Sequence, residues 1–469
     1  MASPTENGLN SPRVASINAG IATSLLFGTK WGSSSNGVGA TISWSVLQGT
    51  SWFANGYSTY GEQYAWYEFS ASETAAASRA LSAWARVSGV SFKRVDDNQW
   101  TVGEIRFAKS SYGPAGSDGH AYSPWDAVRA GDIWMNVHSW NTSGADANKP
   151  GTYAYYALLH EVGHALGLKH PFETSIYNPN WLATKYDNYF YTVMSYTASP
   201  WSSTATPDFY PTTPMYLDLV AIQRLYGRDK NVNAASTTYT FYEGKKYWQT
   251  IDDAGGTDTI VYSGSSKCVI DLRPGHFNTL SDRINFSNGD SSRATVMIGP
   301  DVVIERARGG GGSDILIGNS VDNRLEGMRG HDRLNAGAGN DALYGGNGND
   351  SLRGGDGDDY LNGGKGKDSF LFTSALSGAG NVDRISGFIA KDDTIRLDDK
   401  VFGGLKTGAL LPGRLCFGSG AKDSKDRIIY DKATGELFYD PDGTGAAAQI
   451  KFATLISRPA LSAADFYIV

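Results

Sequence analysis

The sequence predicts an α/β domain with a mixed, twisted sheet and long helices, followed by an all-β domain. Apolar residues recur at helical spacing over residues 72–88 and 153–169, and strand-like runs lie around these two segments. A nine-residue repeat over residues 309–371 dominates the second half of the chain. The change from a mixed pattern to strands and turns therefore indicates two domains of different class.

The elements of the first domain follow from residue periodicity. Ser72 is expected to cap the first long helix, and a short helix is expected earlier, within residues 14–27. The polar stretch at residues 228–233 marks the boundary, so we predict domains at residues 1–230 and 231–469. The predicted strands are residues 41–46, 90–94, 104–108, 119–124 and 132–137, and a third helix spans residues 213–226.

Composition excludes several classes of protein. The chain has 469 residues and a formal net charge of −7, which disfavours a nucleic-acid partner. It contains no run of about 18 apolar residues, so no membrane span is expected. Residues 1–7 lack the basic region of a signal peptide, which leaves a cytoplasmic protein or one exported by another route. Cys268 and Cys416 are too few for a disulfide scaffold, and whether they pair stays open.

Residues 159–170 contain the pattern His-Glu-x-x-His-x-x-Gly-x-x-His, which predicts a catalytic zinc site. Residues four apart share one helix face, so His160 and His164 can offer two imidazole nitrogens to one ion. Gly167 can adopt the left-handed conformation that ends the helix and brings His170 round as a third ligand. Glu161 lies beside them and can accept a proton from a water on the ion without being a ligand.

The context of the motif argues against a chance match. A bare His-Glu-x-x-His also arises on solvated or core helix faces, but here apolar residues supply the buried face of a helix. The added Gly167 and His170 strengthen the prediction. His120 and His138 each stand alone in the sequence, so we interpret both as structural or solvated side chains and not as ligands.

Residues 191–196, Tyr-Thr-Val-Met-Ser-Tyr, complete a set that resembles the metzincin zinc peptidases, and its Ser-Tyr resembles their serralysin branch. The resemblance implies that Met194 is the hydrophobic floor of the zinc site. It implies that Tyr196 is an additional zinc ligand that can swing away to hydrogen-bond the reaction oxyanion. Residues 119–124 match the edge strand against which an extended peptide pairs, so broad specificity is expected. Serralysin-like enzymes are made as zymogens, so a pro-segment is expected in the N-terminal part of the chain.

Residues 309–371 contain seven nonads without a gap, of which Gly354–Asn362 is among the clearest. An apolar residue recurs at every ninth position, which a flexible glycine linker would not require. This is the repeats-in-toxin pattern of a parallel β-roll, in which carbonyl and Asp oxygens of the turns surround calcium. In the nonad at residues 318–326, Asn323 replaces the Asp, so a weaker or missing calcium site is expected there.

The calcium prediction covers the repeats and one loop near the domain boundary. Residues 253–258 resemble a serralysin calcium loop at the domain junction, with Asp253, Gly255, Gly256 and Asp258 as expected ligands. The other expected calcium ligands are Val303, Glu305, Gly310, Gly312, Asp314, Met328, Gly330, Asp332, Gly337, Gly339, Asp341, Gly346, Gly348, Asp350, Gly355, Gly357, Asp359, Gly364, Gly366 and Asp368.

Together these features predict a secreted bacterial zinc endopeptidase of serralysin type with one catalytic Zn²⁺ and several structural Ca²⁺ ions. Residues 465–469, an acidic residue and four apolar ones, could form a last strand but resemble an uncleaved C-terminal signal for type I secretion. The expected partners are protein or peptide substrates, the type I secretion apparatus and a proteinaceous inhibitor, and a monomer is expected. Two alternatives stay open: a calcium-dependent adhesin or toxin with an inactive metal domain, and a zinc hydrolase with a non-peptide substrate.

Overall fold

The computed structural model describes residues 22–125, 127–140, 148–378 and 380–469. The chain divides into two compact units. Unit 1 comprises Met1–Ala234, Lys246–Ala254 and Asp282–Val302, and unit 2 comprises Ala235–Lys245, Gly255–Ser281 and Val303–Val469. Most of the short helix expected within residues 14–27 falls outside the described residues, and Ala22–Leu25 form a 3₁₀ helix.

The described residues contain three α-helices, α1 (Ala71–Arg86), α2 (Tyr153–Ala165) and α3 (Tyr216–Tyr226). The strands, in chain order, are β1 (Ala40–Val46), β2 (Trp66–Tyr67), β3 (Val90–Arg94), β4 (Ile105–Ser110), β5 (Gly119–Ala121), β6 (Ile133–Asn136), β7 (Thr238–Tyr242), β8 (Gln249–Ile251), β9 (Thr259–Ser263), β10 (Val269–Asp271), β11 (Phe277–Asn285), β12 (Ser291–Ile298), β13 (Arg306–Arg308), β14 (Ile315–Ile317), β15 (Arg324–Arg329), β16 (Arg333–Ala338), β17 (Ala342–Asn347), β18 (Ser351–Asp356), β19 (Tyr360–Lys365), β20 (Ser369–Phe372), β21 (Asp383–Ser386), β22 (Thr394–Leu397), β23 (Gly408–Ala409), β24 (Leu415–Phe417), β25 (Ile428–Asp431), β26 (Glu436–Tyr439), β27 (Ile450–Leu455) and β28 (Phe466–Ile468). Four further 3₁₀ helices are Glu62–Tyr64, Thr184–Tyr186, Pro412–Arg414 and Ala463–Asp465.

Unit 1 contains a sheet in the order β3-β1-β4-β6-β5, with β2 paired to β4. Strands β3, β1, β4 and β6 are parallel, and β5 is antiparallel to β6 at the end of the described sheet. The sheet is therefore mixed, with β5 antiparallel at one edge and β2 antiparallel to β4. Later in unit 1, β8 and β12 pair in parallel.

Buried side chains fix the motif-bearing helix α2 within unit 1. The indole Nε1 of Trp84, from α1, donates to the Leu159 carbonyl oxygen at 2.9 Å. The indole Nε1 of Trp31 donates to the Ala165 carbonyl oxygen at 2.7 Å, at the last residue of α2. Both indoles are fully buried, so the helix is held at its middle and at its end.

The start of α1 differs from the expectation that Ser72 caps it. The cap is Ser70, whose side chain accepts a hydrogen bond from the N–H of Glu73, and the Glu73 carboxylate accepts one from the N–H of Ser70 at 2.6 Å. Reciprocal capping needs a Ser and a Glu three positions apart, and Ser72 lacks such a partner because Ala75 follows it at that distance.

The nonads of unit 2 alternate between two sheets, within which the strands of the nonads pair in parallel. One sheet runs β10-β14-β16-β18-β20-β22-β28-β23, and the other runs β24-β25-β26-β27-β21-β19-β17-β15-β13-β9-β7. Strand β16 pairs with β18, so Leu334 lies beside Leu352, eighteen residues later. Likewise Leu343 of β17 lies beside Leu361 of β19, and these leucines are buried. The apolar residue of each nonad thus stacks on that of the nonad two positions away.

Three other features bear on the sequence-based expectations. Cys268 and Cys416 are both buried, and the structure does not join them in a disulfide. Residues Phe466–Ile468 form strand β28, which pairs with β22 and β23. Among the residues that the structure describes, no helix has both the length and the apolar composition needed to cross a membrane.

Candidate metal centres

Three histidines converge at the end of α2. The Nε2 atoms of His160 and His164 lie 3.1 Å apart, and those of His160 and His170 lie 3.2 Å apart. The Nε2 atoms of His164 and His170 are separated by 2.9 Å. Gly167 has φ +101°, the conformation that turns the chain after α2 and returns His170 to the other two rings. The structure thus brings the three predicted zinc ligands together.

The outer nitrogen of each ring faces an oxygen. Nδ1 of His160 lies 2.7 Å from the Val193 carbonyl oxygen, and Nδ1 of His164 lies 2.9 Å from that of Leu168. Nδ1 of His170 lies 2.8 Å from Oε2 of Glu173. Because the two carbonyl oxygens accept hydrogen bonds, Nδ1 of His160 and Nδ1 of His164 carry the proton, and the unprotonated Nε2 atoms of these two rings face the common point. Burial lowers the pKa of His160 to about 3 and also lowers that of His164, so both rings are neutral.

This arrangement fits a zinc ion. Three nitrogens that each lie about 2.0–2.1 Å from one tetrahedral ion stand roughly 3.3 Å apart, close to the observed 2.9–3.2 Å. Ring nitrogens whose lone pairs face one point repel each other unless a cation lies between them. Among the described residues, this is the one group of at least three His, Cys, Asp or Glu side chains within metal-binding distance.

Glu161, which follows His160 in the sequence, has a buried carboxylate with one unpartnered oxygen. The residue is 7% exposed, and its Oε2 atom is buried with no hydrogen-bond partner. Burial raises the pKa of this carboxyl to about 8. A buried carboxylate oxygen without a partner is costly, and a polar group such as a water at the metal would satisfy it.

Met194 packs against the motif helix. A Cβ added at Gly163, inside the His-Glu-x-x-His segment, would lie 2.5 Å from Met194 Sδ and 3.0 Å from Trp84 Cζ2. Met194 is fully buried. The methionine thus contacts the helix backbone between the two helical histidines, as expected for a hydrophobic floor.

Tyr196 lies beside the histidines and remains 61% exposed. Its ring centroid is 4.4 Å from that of His170 and 5.6 Å from that of His160. Burial of the hydroxyl, with a smaller contribution from Glu161, raises the pKa of Tyr196, so the phenol keeps its proton. A protonated phenol near the metal can donate a hydrogen bond to developing negative charge.

Asp218, on α3, is a residue that the sequence analysis missed. It is fully buried, and its carboxylate accepts hydrogen bonds from Thr192 Oγ1 at 2.6 Å and from the N–H of Val193 at 2.7 Å. Its Oδ2 also accepts the N–H of Met215 at 2.8 Å. These bonds fix the segment before Met194, including the carbonyl that accepts from His160. No spacing in the sequence connects Asp218 with residue 193.

A second missed residue, Glu62, supports the edge strand β5. Its Oε1 lies 2.7 Å from His120 Nε2 and accepts a hydrogen bond of 2.8 Å from the Tyr122 hydroxyl. His120 and Tyr122 stand two positions apart and so project from the same face of the strand. His120 therefore joins a carboxylate, and not the zinc group, which agrees with the interpretation of His120 as structural.

Five buried aspartates repeat one set of contacts along the nonads. Oδ1 of each accepts the backbone N–H of the residue eighteen positions earlier, at 2.6–2.9 Å. Oδ2 of each is buried and has no hydrogen-bond partner. Five unpartnered carboxylate oxygens in equivalent turns fit a hard cation such as calcium. These residues are Asp332, Asp341, Asp350, Asp359 and Asp368.

The turn backbone before these aspartates is also repeated. The second and fourth residues of each such nonad have positive φ, and a Cβ at Gly348 would lie 1.6 Å from the Gly330 carbonyl oxygen. Such close approach requires glycine there. The residues with positive φ are Met328, Gly330, Gly337, Gly339, Gly346, Gly348, Gly355, Gly357, Gly364 and Gly366, all expected as calcium ligands.

Burial and neighbouring carboxylates make these aspartates hard to ionise together. Burial, followed by Coulombic contributions from nearby aspartates, raises the pKa of Asp332 and of Asp341 to about 7. Calcium would reverse this effect because a divalent ion favours the ionised carboxylates. The donor set therefore fits calcium in charge as well as in geometry.

The first repeat turn and the residues before it are arranged differently. Both Asp314 oxygens accept backbone N–H groups, from Cys268 and Gly310, each at 2.7 Å. Glu305 Oε2 accepts the N–H of Asp258 at 2.7 Å, whereas Val303 is 44% exposed. Gly312, like Gly310, is not among the described residues with positive φ.

The residues expected to bind calcium near the domain boundary fall in different units. Asp253 belongs to unit 1, where it is buried. Gly255, Gly256 and Asp258 belong to unit 2. Within unit 2, Gly256 has φ +125°, and Asp258 Oδ1 accepts the N–H of Thr237 at 2.7 Å.

Comparison with known proteins agrees with both metal centres. Residues 54–190 match the family model for matrixin. Residues 308–343 and 336–370 match the model for the RTX calcium-binding nonapeptide repeat. The first match includes the three histidines and Glu161, and the second includes all five aspartates with unpartnered oxygens.

The curated relatives confirm the resemblance to serralysins. Serralysin G of Dickeya chrysanthemi is 31% identical over 281 residues, which cover 55% of this chain and 56% of that protein. Serralysin of Photorhabdus luminescens is 31% identical over 281 residues, covering 55% of this chain and 54% of that protein. Metalloprotease AprA of Pseudomonas entomophila is 31% identical over 291 residues, covering 55% of this chain and 56% of that protein. The chain spans about half the length of the curated relatives it matches.

Proposed function

We propose that this protein is a zinc-dependent endopeptidase that hydrolyses protein substrates with broad specificity. The observation that carries the proposal is the convergence of three histidine Nε2 atoms, together with the unpartnered, buried Oε2 of Glu161, the residue that follows His160 on α2. The relatives named serralysin support the same activity. A chain that had lost catalysis would have no need to keep a buried carboxylate without a partner at this position.

The proposed peptide-bond hydrolysis uses a zinc ion and the side chains of histidine, glutamate and tyrosine. His160, His164 and His170 would hold a zinc ion, which would supply Lewis-acid activation of a water molecule and of the scissile carbonyl. Glu161 accepts the proton of the attacking water and delivers it to the leaving amine nitrogen. The Tyr196 hydroxyl donates a hydrogen bond to the oxyanion, and by resemblance to serralysins it would also be a ligand of the zinc ion.

Substrate binding is proposed at the free edge of β5. The carbonyl oxygen of Asp118 and the N–H of Tyr122 bond towards the β6 side, at 2.9 and 3.0 Å. Because hydrogen-bonding direction alternates along a strand, Gly119 and Ala121 turn their N–H and C=O groups to the other edge. An extended peptide that pairs there is held by its main chain, which makes binding largely independent of its side chains.

The second part of the proposal concerns residues 231–469. We propose that the repeats form a parallel β-roll that binds several calcium ions and that calcium stabilises this part of the protein. Resemblance to serralysins extends the proposal to an extracellular bacterial protein exported by a type I apparatus, made as a zymogen, active as a monomer and sensitive to a proteinaceous inhibitor. The unpartnered aspartate oxygens support the calcium binding, and the resemblance alone supports the rest.

Casein hydrolysis tests the proposed activity. The purified protein should cleave unfolded casein, lose this activity in a zinc chelator, and regain it when Zn²⁺ is restored. Glu68→Gln, at an exposed carboxylate, should cleave as the parent does and controls for the effect of changing a charge. Cleavage that persists in metal-free protein would contradict a zinc mechanism. A zinc-loaded, folded protein that leaves casein and other proteins intact would indicate a non-peptide substrate or an inactive domain.

A further inference from the structure

The turn formed by residues 318–323, which we call the Asn323 turn, differs from the five turns with unpartnered aspartates. Its strand register is the same, because the N–H of Asn323 donates to Asp341 Oδ1 at 2.6 Å, as the equivalent N–H groups do elsewhere. What differs is the side chain at the sixth position and the backbone at the second and fourth positions. This turn lies within residues that match the calcium-binding repeat model, so the departure bears on how many ions the repeats hold.

The amide of Asn323 is satisfied entirely by the protein. Its Oδ1 accepts the N–H of Asn319 at 2.7 Å. Its Nδ2 donates to the Glu305 carbonyl oxygen at 3.2 Å and to Asn319 Oδ1 at 3.1 Å. Asn319 Nδ2 in turn donates to the Ile304 carbonyl oxygen at 2.9 Å. Since Asn323 is 3% exposed, this closed set of bonds fills the space beside the buried side chain.

The Asn323 amide is uncharged and its oxygen already accepts an N–H, so it is a poorer calcium ligand than the carboxylate in the other turns. The Asn323 nitrogen has two hydrogens and no lone pair to offer, and both hydrogens already meet oxygen atoms. In the five other turns, an unpartnered oxygen remains at the aspartate and carries charge that a cation can neutralise. Asp314 lies between these cases, since both of its oxygens have N–H partners but a carboxylate keeps its charge and further lone pairs.

The backbone of the Asn323 turn also departs from the calcium-binding conformation. Asn319 and Val321 occupy the second and fourth positions, and neither has the positive φ found at those positions in the next five turns. A β-branched residue such as valine strongly disfavours positive φ. The carbonyl oxygens of this turn are therefore directed differently from those of the turn at Gly346 and Gly348.

We infer that the Asn323 turn binds no calcium. The hydrogen bonds of the Asn323 amide replace the contacts that a calcium ion makes with the following turns. The inference rests on the proposed calcium binding by those turns. It implies that Asn319, Val321 and Asn323 together exclude the ion, and that in the folded chain the hydrogen bonds of this turn take the place of contacts to an ion.

Calcium counting on the full chain tests the inference. Equilibrium dialysis with radioactive calcium gives the ions bound per chain for the parent and three variants. Asp350→Ala should lose at least one ion, because it removes an unpartnered oxygen. Asn323→Ala should bind the parental number. The triple variant Asn319→Gly, Val321→Gly, Asn323→Asp restores the repeat pattern and should gain at least one ion.

Each result decides the matter. Loss of calcium from folded Asn323→Ala would show that the amide is a ligand, and a triple variant that gains no ion would show that these residues do not exclude it. Either result overturns the inference. If Asn323→Ala does not fold, the triple variant still decides, because its expected gain requires a folded calcium turn. A parent chain that binds no calcium would instead contradict the proposed function of the repeats.

Discussion

The buried carboxylate of Asp218 accepts a 2.7 Å hydrogen bond from the backbone N–H of Val193. The carbonyl oxygen of the same Val193 lies 2.7 Å from Nδ1 of His160. One residue on α3 is therefore connected through one backbone unit to the outer nitrogen of a zinc ligand. Such contacts fix the tautomer and orientation of a ligating imidazole, so Asp218 acts as a positioning residue.

Asp218→Asn should weaken zinc binding without removing a ligand. The substitution places an amide N–H₂ or a single carbonyl oxygen where the carboxylate now accepts from Thr192, Val193 and Met215. We expect zinc affinity to fall by about 10- to 100-fold and the free energy of unfolding to fall by about 1–3 kcal/mol. Competition with a chromogenic chelator and thermal unfolding measure the two effects. Asp96→Asn, at an exposed carboxylate, is the matched control, and an unchanged zinc affinity in Asp218→Asn would exclude the positioning role.

Glu161→Gln should keep zinc and lose hydrolysis. The side chain keeps its shape and the three histidines are untouched, but an amide cannot accept the proton from the attacking water. We expect kcat to fall by about 10²- to 10⁴-fold, the usual contribution of a general base. Zinc content by atomic emission should remain at the parental value. A variant that retains zinc and cleaves casein at the parental rate would remove Glu161 from the mechanism.

The zinc group could be predicted from the sequence because its three histidines lie close together along the chain. His160 and His164 are related by one helical turn, and Gly167 with φ +101° is the conformation that glycine supplies at a helix end. The nonads were equally visible, since one apolar residue per repeat stacks on another eighteen positions away. In both cases a short period or spacing determines which side chains meet.

What the sequence did not indicate depends on contacts between distant segments. Asp218 lies 25 positions from Val193, and Glu62 lies 58 positions from His120, so neither pair has a recognisable spacing. The sequence predicts Ser72 as the cap of α1 because Ser70 and Ser72 both stand at its start, and only the reciprocal bond with Glu73 selects Ser70. Asn323 departs recognisably from the repeat, but its closed set of hydrogen bonds depends on the positions of Glu305 and Asn319.

Gly163→Ala should destabilise the motif helix despite the higher helix propensity of alanine. The added Cβ would lie 2.5 Å from Met194 Sδ and 3.0 Å from Trp84 Cζ2, and both side chains are fully buried. Overpacking of this kind costs about 1–3 kcal/mol, more than the gain of up to about 1 kcal/mol from replacing glycine in a helix. Thermal unfolding measures the difference. Gly413→Ala, where an added Cβ meets open space, is the control. If Gly163→Ala has a higher free energy of unfolding than the parent, Met194 does not pack tightly enough against the helix to exclude a Cβ at this position.

Tyr196→Phe should lower kcat far more than it raises KM. The ring contacts with His160 and His170 are kept, while the hydroxyl that would donate to the oxyanion is lost. By analogy with other oxyanion donors, we expect a loss of about 10²- to 10³-fold in kcat. Steady-state kinetics on a quenched peptide make the measurement, with Tyr64→Phe at an 82% exposed tyrosine as control. A change confined to KM would assign Tyr196 to substrate binding in the ground state.

Calcium removal should unfold the repeats of the full chain. Within residues 309–371, nine Asp and one Glu face six Lys and Arg, so this segment has a net charge of 6 − 10 = −4. Folding without metal buries five carboxylate oxygens that have no hydrogen-bond partner and orders 18 glycines among 63 residues, both of which cost free energy. Calcium offsets these costs because its binding energy becomes folding energy.

Far-ultraviolet circular dichroism of the full chain should gain β signal cooperatively between about 10⁻⁴ and 10⁻³ M calcium, the range of extracellular modules. Asp350→Asn should move this transition to higher calcium, whereas Asp356→Asn, at an exposed carboxylate, should leave it in place. Unit 1 includes residues 246–254 and 282–302, so the full chain is the appropriate material and a fragment of residues 231–469 is not. A spectrum that is the same in chelator and in millimolar calcium would contradict this account, because the buried aspartates would then be tolerated without any ion.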